Sequence, residues 1–147
     1  MPDKTSLCFV CTGNTCRSPM AQFILKSKLP DDMDLKITSF GTDVSEVSMN
    51  PLAKAALKNH GVKMTKFLPK QITLEKAKKF DAIVAMTDSA RKRLIDSGYK
   101  NVYSINQLTK CGDVIDPYGK SSKEYEQCFL QLSKACDIII EMLKKVL

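Results

Sequence analysis

Short apolar runs alternate with helically periodic segments along most of this 147-residue chain, and that alternation leaves few folds open. Residues 7–10, 35–39, 81–86 and 102–105 read as strands, by period-two alternation or by continuous apolar character. Between them, residues 18–28, 51–60, 73–79 and 88–95 carry helical spacing, and a last long helix is expected over 121–143. On that last helix Phe129, Leu132, Cys136, Ile139 and Leu143 share one face. Gly61 and Gly98 stand where helices should stop, and Asp88 stands where one should be capped. Strands joined through helices return by right-handed crossovers and pair in parallel. The expected fold is therefore α/β: one domain over residues 1–147, with a four-stranded parallel sheet covered by helices on both faces. A hydrophobic content of 44% supplies the core.

In such a fold the turn after the first strand is the usual phosphate site, and here that turn has unusual chemistry. Cys11-Thr12-Gly13-Asn14-Thr15-Cys16-Arg17-Ser18-Pro19 joins the first apolar run to a helix start marked by a polar cap and a first-turn proline. Backbone N–H groups and the positive end of the helix dipole should converge on one anion. Cys11 sits at the mouth, where the same partial charges favour a thiolate nucleophile. Arg17 can curl back and clamp two phosphate oxygens; only three arginines occur in the chain, against many lysines. Gly13 and Asn14 tolerate the positive φ of a tight loop. Ser18 either caps the helix or hydrogen-bonds the thiolate. Cys16 should lie close enough to Cys11 for a reversible disulfide.

A nucleophile at phosphorus needs an acid for the leaving group. Asp116, in Gly112-Asp113-Val114-Ile115-Asp116-Pro117-Tyr118-Gly119, is the first choice because Pro117 stiffens a loop between the fourth strand and the last helix. Asp113 is the competing choice, and Tyr118 would wall the substrate slot. The single histidine, His60, stands at a helix end, which leaves a Cys-His dyad one poor candidate and a His-rich metal site none. Cys8 and Cys11 have the spacing of a redox pair, but on a strand they point to opposite faces.

Composition excludes further classes. No apolar stretch approaches the roughly 18–20 residues that span a membrane, and residues 1–4 do not resemble a signal peptide. Six cysteines in a domain of this size read as free thiols of a reducing compartment, so a cytoplasmic location and no membrane association are expected. The net charge of +7 is spread over several segments without an aromatic or arginine stripe. It therefore suits a surface that attracts phosphorylated partners better than one that binds nucleic acid.

The Cys11–Pro19 loop, Asp116-Pro117-Tyr118, Ser39-Phe40-Gly41-Thr42, His60-Gly61 and Ala85-Met86-Thr87 together resemble the low-molecular-weight protein-tyrosine-phosphatase family over nearly the whole chain. The resemblance implies a cofactor-free cysteinyl-phosphate mechanism. Cys11 attacks, and Arg17 with the backbone of Thr12, Gly13, Asn14, Thr15 and Cys16 holds the phosphoryl group. Asp116 protonates the leaving atom and then activates water. The same resemblance implies that Ser18 steadies the thiolate and that Asn14 braces the loop through a network including Ser39. A histidine completes that network in many members; the corresponding place here, near Lys66, has none.

Thr15 is the more informative departure. Tyrosine-specific members usually carry a branched apolar residue there, and the protein-arginine-phosphatase branch resembles this chain in having threonine. The expected activity is thus that of a phosphoprotein phosphatase favouring phosphoarginine, with phosphotyrosine as the alternative substrate. Inorganic phosphate is the expected product and inhibitor, and a monomer the expected state. An arsenate reductase of this fold needs shuttling cysteines after the third strand, and residues 86–98 contain none. A non-catalytic phosphate-binding module would need neither nucleophile nor acid.

Overall fold

The structure is a computed structural model that describes residues 5–146. Four parallel strands, β1 (Thr5–Cys11), β2 (Leu35–Gly41), β3 (Ala82–Ala85) and β4 (Val102–Ser104), form one sheet in the order β2-β1-β3-β4. The helices between and after them are α1 (Arg17–Lys28), α2 (Pro51–Asn59), α3 (Leu74–Ala77), α4 (Asp88–Asp96), α5 (Ile105–Thr109) and α6 (Ser122–Val146). The chain steps from β1 to one side for β2, then crosses to the other side for β3. The strand order therefore reverses at β1, and the crevice for a ligand opens at its carboxyl end.

Alternation along β1 divides the core in two. Leu7, Phe9 and Cys11 face one cluster with α1, α2 and α6, whereas Cys8 and Val10 face a second with Ala77, Leu94 and Phe40. Cys8 and Cys11 thus point to opposite faces of the sheet, as strand geometry requires. Burial of Phe129, Leu132, Cys136 and Ile139 holds α6 down along the face expected for it, at about 1.5–3 kcal/mol for each large apolar side chain. Gly61 and Gly98, at φ +71° and +97°, end α2 and α4 in the left-handed conformation that glycine adopts without strain.

Four expectations need correction. The helix after the loop begins at Arg17, with Cys16 at its N-cap and no side-chain capping bond, so Ser18 is not a cap. Nine successive residues of α1, Arg17 to Leu25, are buried, because the helix is sandwiched between the sheet and α6 and not merely laid on one surface. The cap of α4 is Thr87, whose hydroxyl accepts from the Ala90 N–H, and Asp88 is the first helical residue. Finally, the fourth strand stops at Ser104. Ser104 and Gln107 form a reciprocal capping box that turns Ile105 into the first residue of α5.

Candidate active site

The loop of residues 12–16 leaves β1 at Cys11 and enters α1 at Arg17. The carbonyls of Cys11, Thr12 and Thr15 are held outward by the neighbouring segment. Thr42 N–H donates to Cys11 O at 3.0 Å, Asp43 N–H to Thr12 O at 2.8 Å and Asn50 N–H to Thr15 O at 3.0 Å. In a trans peptide the next N–H points the opposite way. The N–H groups of Thr12, Gly13 and Cys16 therefore turn away from that segment, toward the concave side. Asn14 makes the turn at φ +56°; Gly13 does not take a positive φ, contrary to expectation. The glycine the loop needs is Gly41, at the end of β2. A Cβ there would lie 2.8 Å from Thr12 O and 2.7 Å from Val44 Cγ2, so only glycine lets the two segments close up.

Behind the loop runs a buried polar chain. Asn14 Nδ2 donates to Ser18 Oγ at 2.8 Å and to Ser39 Oγ at 3.1 Å, while Asn14 Oδ1 accepts from the Lys70 N–H at 2.9 Å. Ser39 Oγ in turn donates to Gln22 Oε1 at 2.6 Å. Asn14, Ser18 and Ser39 are wholly shielded from solvent, and in a low-dielectric interior such a chain is stiff only if every member is satisfied. Gln22 is the acceptor that completes it, where the resemblance left a histidine missing. Its signal in the sequence was slight: a lone amide four residues after Ser18, on the same face of α1.

The chain ends at Cys11. Ser18 Oγ lies 2.9 Å from Cys11 Sγ, and the Ser18 N–H donates to the same sulfur at 3.5 Å. Of the two roles open to Ser18, contact with the sulfur is the one the geometry provides. Burial pushes three further thiols, Cys8, Cys128 and Cys136, up to about 12, which leaves them protonated and inert. Cys16 is a free thiol 3.2 Å from the Tyr125 hydroxyl. Burial raises its pKa, partly offset by hydrogen bonds with Tyr125 and Thr15.

Arg17 is 8% exposed. Its Nη1 donates to Val114 O at 3.1 Å, and its Nη2 stands 3.6 Å from Asp116 Oδ2. The loop carrying both partners is tied down by Val114 N–H to Met86 O at 2.9 Å, and by Gln131, which donates to the carbonyls of Cys111 and Asp113. Asp113 Oδ1 accepts from the Asp88 N–H at 2.9 Å, at the start of α4. The competing acid is therefore engaged with α4, and Asp116 is the carboxylate beside Arg17. Asp116 also accepts from the Tyr118 N–H at 3.1 Å, which orients it, and Pro117 between them is buried.

Two recesses meet at this pair. A slot of about 240 Å³ reaches Cys11 between Thr15, Asp43, Glu46, Asp116 and Tyr118. A wider cleft of about 630 Å³ reaches it from the side of Met86, Arg93, Asp113 and Ile115. Asp43 and Glu46, which line the slot, were not singled out in the sequence because nothing local marks a carboxylate in an irregular segment. Among the described residues no group of three or more potential metal-ligating side chains is clustered, and no helix is long and apolar enough to cross a membrane.

A thiol at the carboxyl end of the first parallel strand, facing a loop of inward N–H groups with an arginine and a carboxylate opposite, defines a cysteine-dependent phosphatase. Comparison with known proteins gives the family. Residues 6–147 match the family described as low molecular weight phosphotyrosine protein phosphatase. The protein-tyrosine-phosphatase PtpB of Staphylococcus haemolyticus is 36% identical over 127 residues, covering 84% of this chain and 89% of that protein. Among solved structures, the YwlE arginine phosphatase from Geobacillus stearothermophilus superposes with a TM-score of 0.86 at 28% identity, covering 96% of this chain and 94% of that one. The low molecular weight protein tyrosine phosphatase from T. tengcongensis superposes at 0.85 with 32% identity, covering 94% and 99%. The chain belongs to the low molecular weight phosphotyrosine protein phosphatase family.

Proposed function

We propose that the protein dephosphorylates phosphoproteins through a cysteinyl-phosphate and takes phosphoarginine in preference to phosphotyrosine. The Cys11 thiolate attacks phosphorus. The S–P bond forms as the P–N bond breaks, and the electron pair leaving on nitrogen takes the proton of Asp116. Arg17 and the inward N–H groups of Thr12, Gly13 and Cys16 carry the charge on the equatorial oxygens. In the second half Asp116, now a carboxylate, takes a proton from water as its oxygen attacks phosphorus. The S–P bond breaks, phosphate leaves and the thiolate returns. Inorganic phosphate, the product, fits the same cradle and inhibits by occupying it.

The slot carries the substrate preference: two carboxylates, Asp43 and Glu46, line it together with the acid Asp116 and the polar Thr15. A guanidinium phosphate brings a cation to that wall, and a hydroxyl at position 15 favours it over an aryl ring. Phosphotyrosine is the second reading. Its support is Tyr118, 55% exposed at the rim with its hydroxyl 3.5 Å from Glu46 Oε1, because an exposed ring offers a stacking surface to an aromatic ester.

The deciding experiment compares kcat/KM for a phosphoarginine peptide and a phosphotyrosine peptide, with Cys11→Ser as the blank. A preference for phosphoarginine is expected. A preference for phosphotyrosine would retain the mechanism and overturn the substrate, and turnover by Cys11→Ser would overturn the mechanism.

A further inference from the structure

Away from the active site, along the outer edge of β2, lies a groove of about 620 Å³. Its walls include Lys26, Lys36, Lys66 and Lys70, and none of its lining residues is acidic. Among the described residues no carboxylate lies within ion-pair distance of any of the four, whereas Lys28, Lys92 and Lys144 each have one. Lys70 Nζ donates to Thr38 Oγ1 at 3.2 Å and stands 4.9 Å from the centre of the Phe40 ring, which Lys76 Nζ also approaches, at 5.8 Å. Burial lowers the Lys70 pKa first, and repulsion from Lys26, Lys76 and Lys36 adds to it, against an opposing effect of Cys8. Lys26 and Lys36 repel Lys70 across the recess, Lys66 lines it with them, and an anion bound there would relieve that repulsion.

The groove is joined to the catalytic loop at two points. Lys70, whose side chain lines it, gives its main-chain N–H to Asn14 Oδ1, and Gln22, also in its wall, accepts from Ser39. Both contacts belong to the polar chain that ends at Cys11 Sγ. We infer that this groove is a second anion site, for a small soluble molecule carrying clustered phosphates, and that its occupancy is felt at the Cys11 loop through Lys70 and Gln22. Its volume is that of a small-molecule site, and its lysines converge on one recess. An extended acidic polypeptide would instead need cations spread along a face. The binding site stands without the phosphatase reading; only its effect on turnover rests on it.

Inorganic tripolyphosphate is the probe, titrated calorimetrically into the wild type, Arg17→Ala and the double variant Lys26→Gln/Lys36→Gln, with thermal melts to confirm that each is folded. Arg17→Ala weakens the active-site cradle and should keep the groove site. The double variant should lose the groove site, its affinity falling by about tenfold or more as charge-assisted hydrogen bonds are removed. In ¹⁵N spectra tripolyphosphate should shift the Lys70 and Asn14 amide signals of Arg17→Ala. It should leave them in place when the two lysine substitutions are added, with Lys66→Gln as an independent weakening variant. Identical binding by the double variant and the wild type would overturn the site. So would a glutamate decapeptide that binds in a lysine-dependent way while tripolyphosphate does not, since the surface would then serve an acidic protein segment. Absence of phosphatase activity would leave all of these readouts intact.

Discussion

At the scale of single residues the site separates groups that meet the phosphoryl group from groups that hold those in place. In the proposed mechanism Asp116 belongs to the first kind. Asp116→Asn keeps the shape and removes the proton, and kcat for the preferred peptide should fall by roughly 10²–10⁴. Asp113→Asn, altering an acceptor at the start of α4, should retain most of the rate, and steady-state kinetics on the two variants decide between them. Gln22 belongs to the second kind. Gln22→Ala leaves the buried Ser39 hydroxyl without its acceptor, which should cost about 1–3 kcal/mol in urea unfolding. Unchanged stability would mean that water takes over the bond.

At the scale of elements, α4, β4 and α5 are tied at one corner. Asp88 Oδ1 accepts from Ser104 Oγ at 2.5 Å, and Asp88 Oδ2 accepts from Asn106 Nδ2 at 2.9 Å. The Ser104 bond first, and the Asn106 bond second, hold the Asp88 carboxyl below its ordinary range. A depressed folded-state value means that this stabilisation is present above the unfolded carboxylate value and disappears as pH falls through the folded one. Thermal melts between about pH 5 and about pH 2 should therefore show Asp88→Asn less stable than wild type at the upper end, with the gap closing at the lower. The same corner marks a limit of reading elements from sequence. Val102-Tyr103-Ser104-Ile105 has the β-branched and aromatic character of a strand, and the Ser104-x-x-Gln107 box that ends it is a short signal easily outweighed. Long elements were legible because their period repeats. Those of the site that lie in one segment, from Cys11 to Ser18, were legible as well. The parts played by Gln22 and Gly41 were not, because their partners Ser39 and Thr12 are distant in sequence: packing of α1 beside β2 brings Gln22 to Ser39, and pairing of β1 with β2 brings Gly41 to the start of the loop.

At the scale of the whole molecule, a net charge of +7 surrounds a slot that is itself lined with acids. The general field should speed arrival of phosphorylated partners, and the local carboxylates act only at contact. Raising ionic strength from about 0.05 to about 0.5 M should lower kcat/KM several-fold with kcat unchanged; a fall in kcat alone would place the charge effect in the chemical step. The molecule also keeps two tasks apart in space. None of Asn14, Ser18, Ser39 and Gln22 lines the slot, and Thr15, which does, takes no part in their chain of hydrogen bonds. On the proposed role of Thr15, specificity and reactivity are separate modules: a lineage could exchange one substrate class for another at position 15 while inheriting the machinery behind the thiolate unaltered, and a change of signalling language would be a short mutational step.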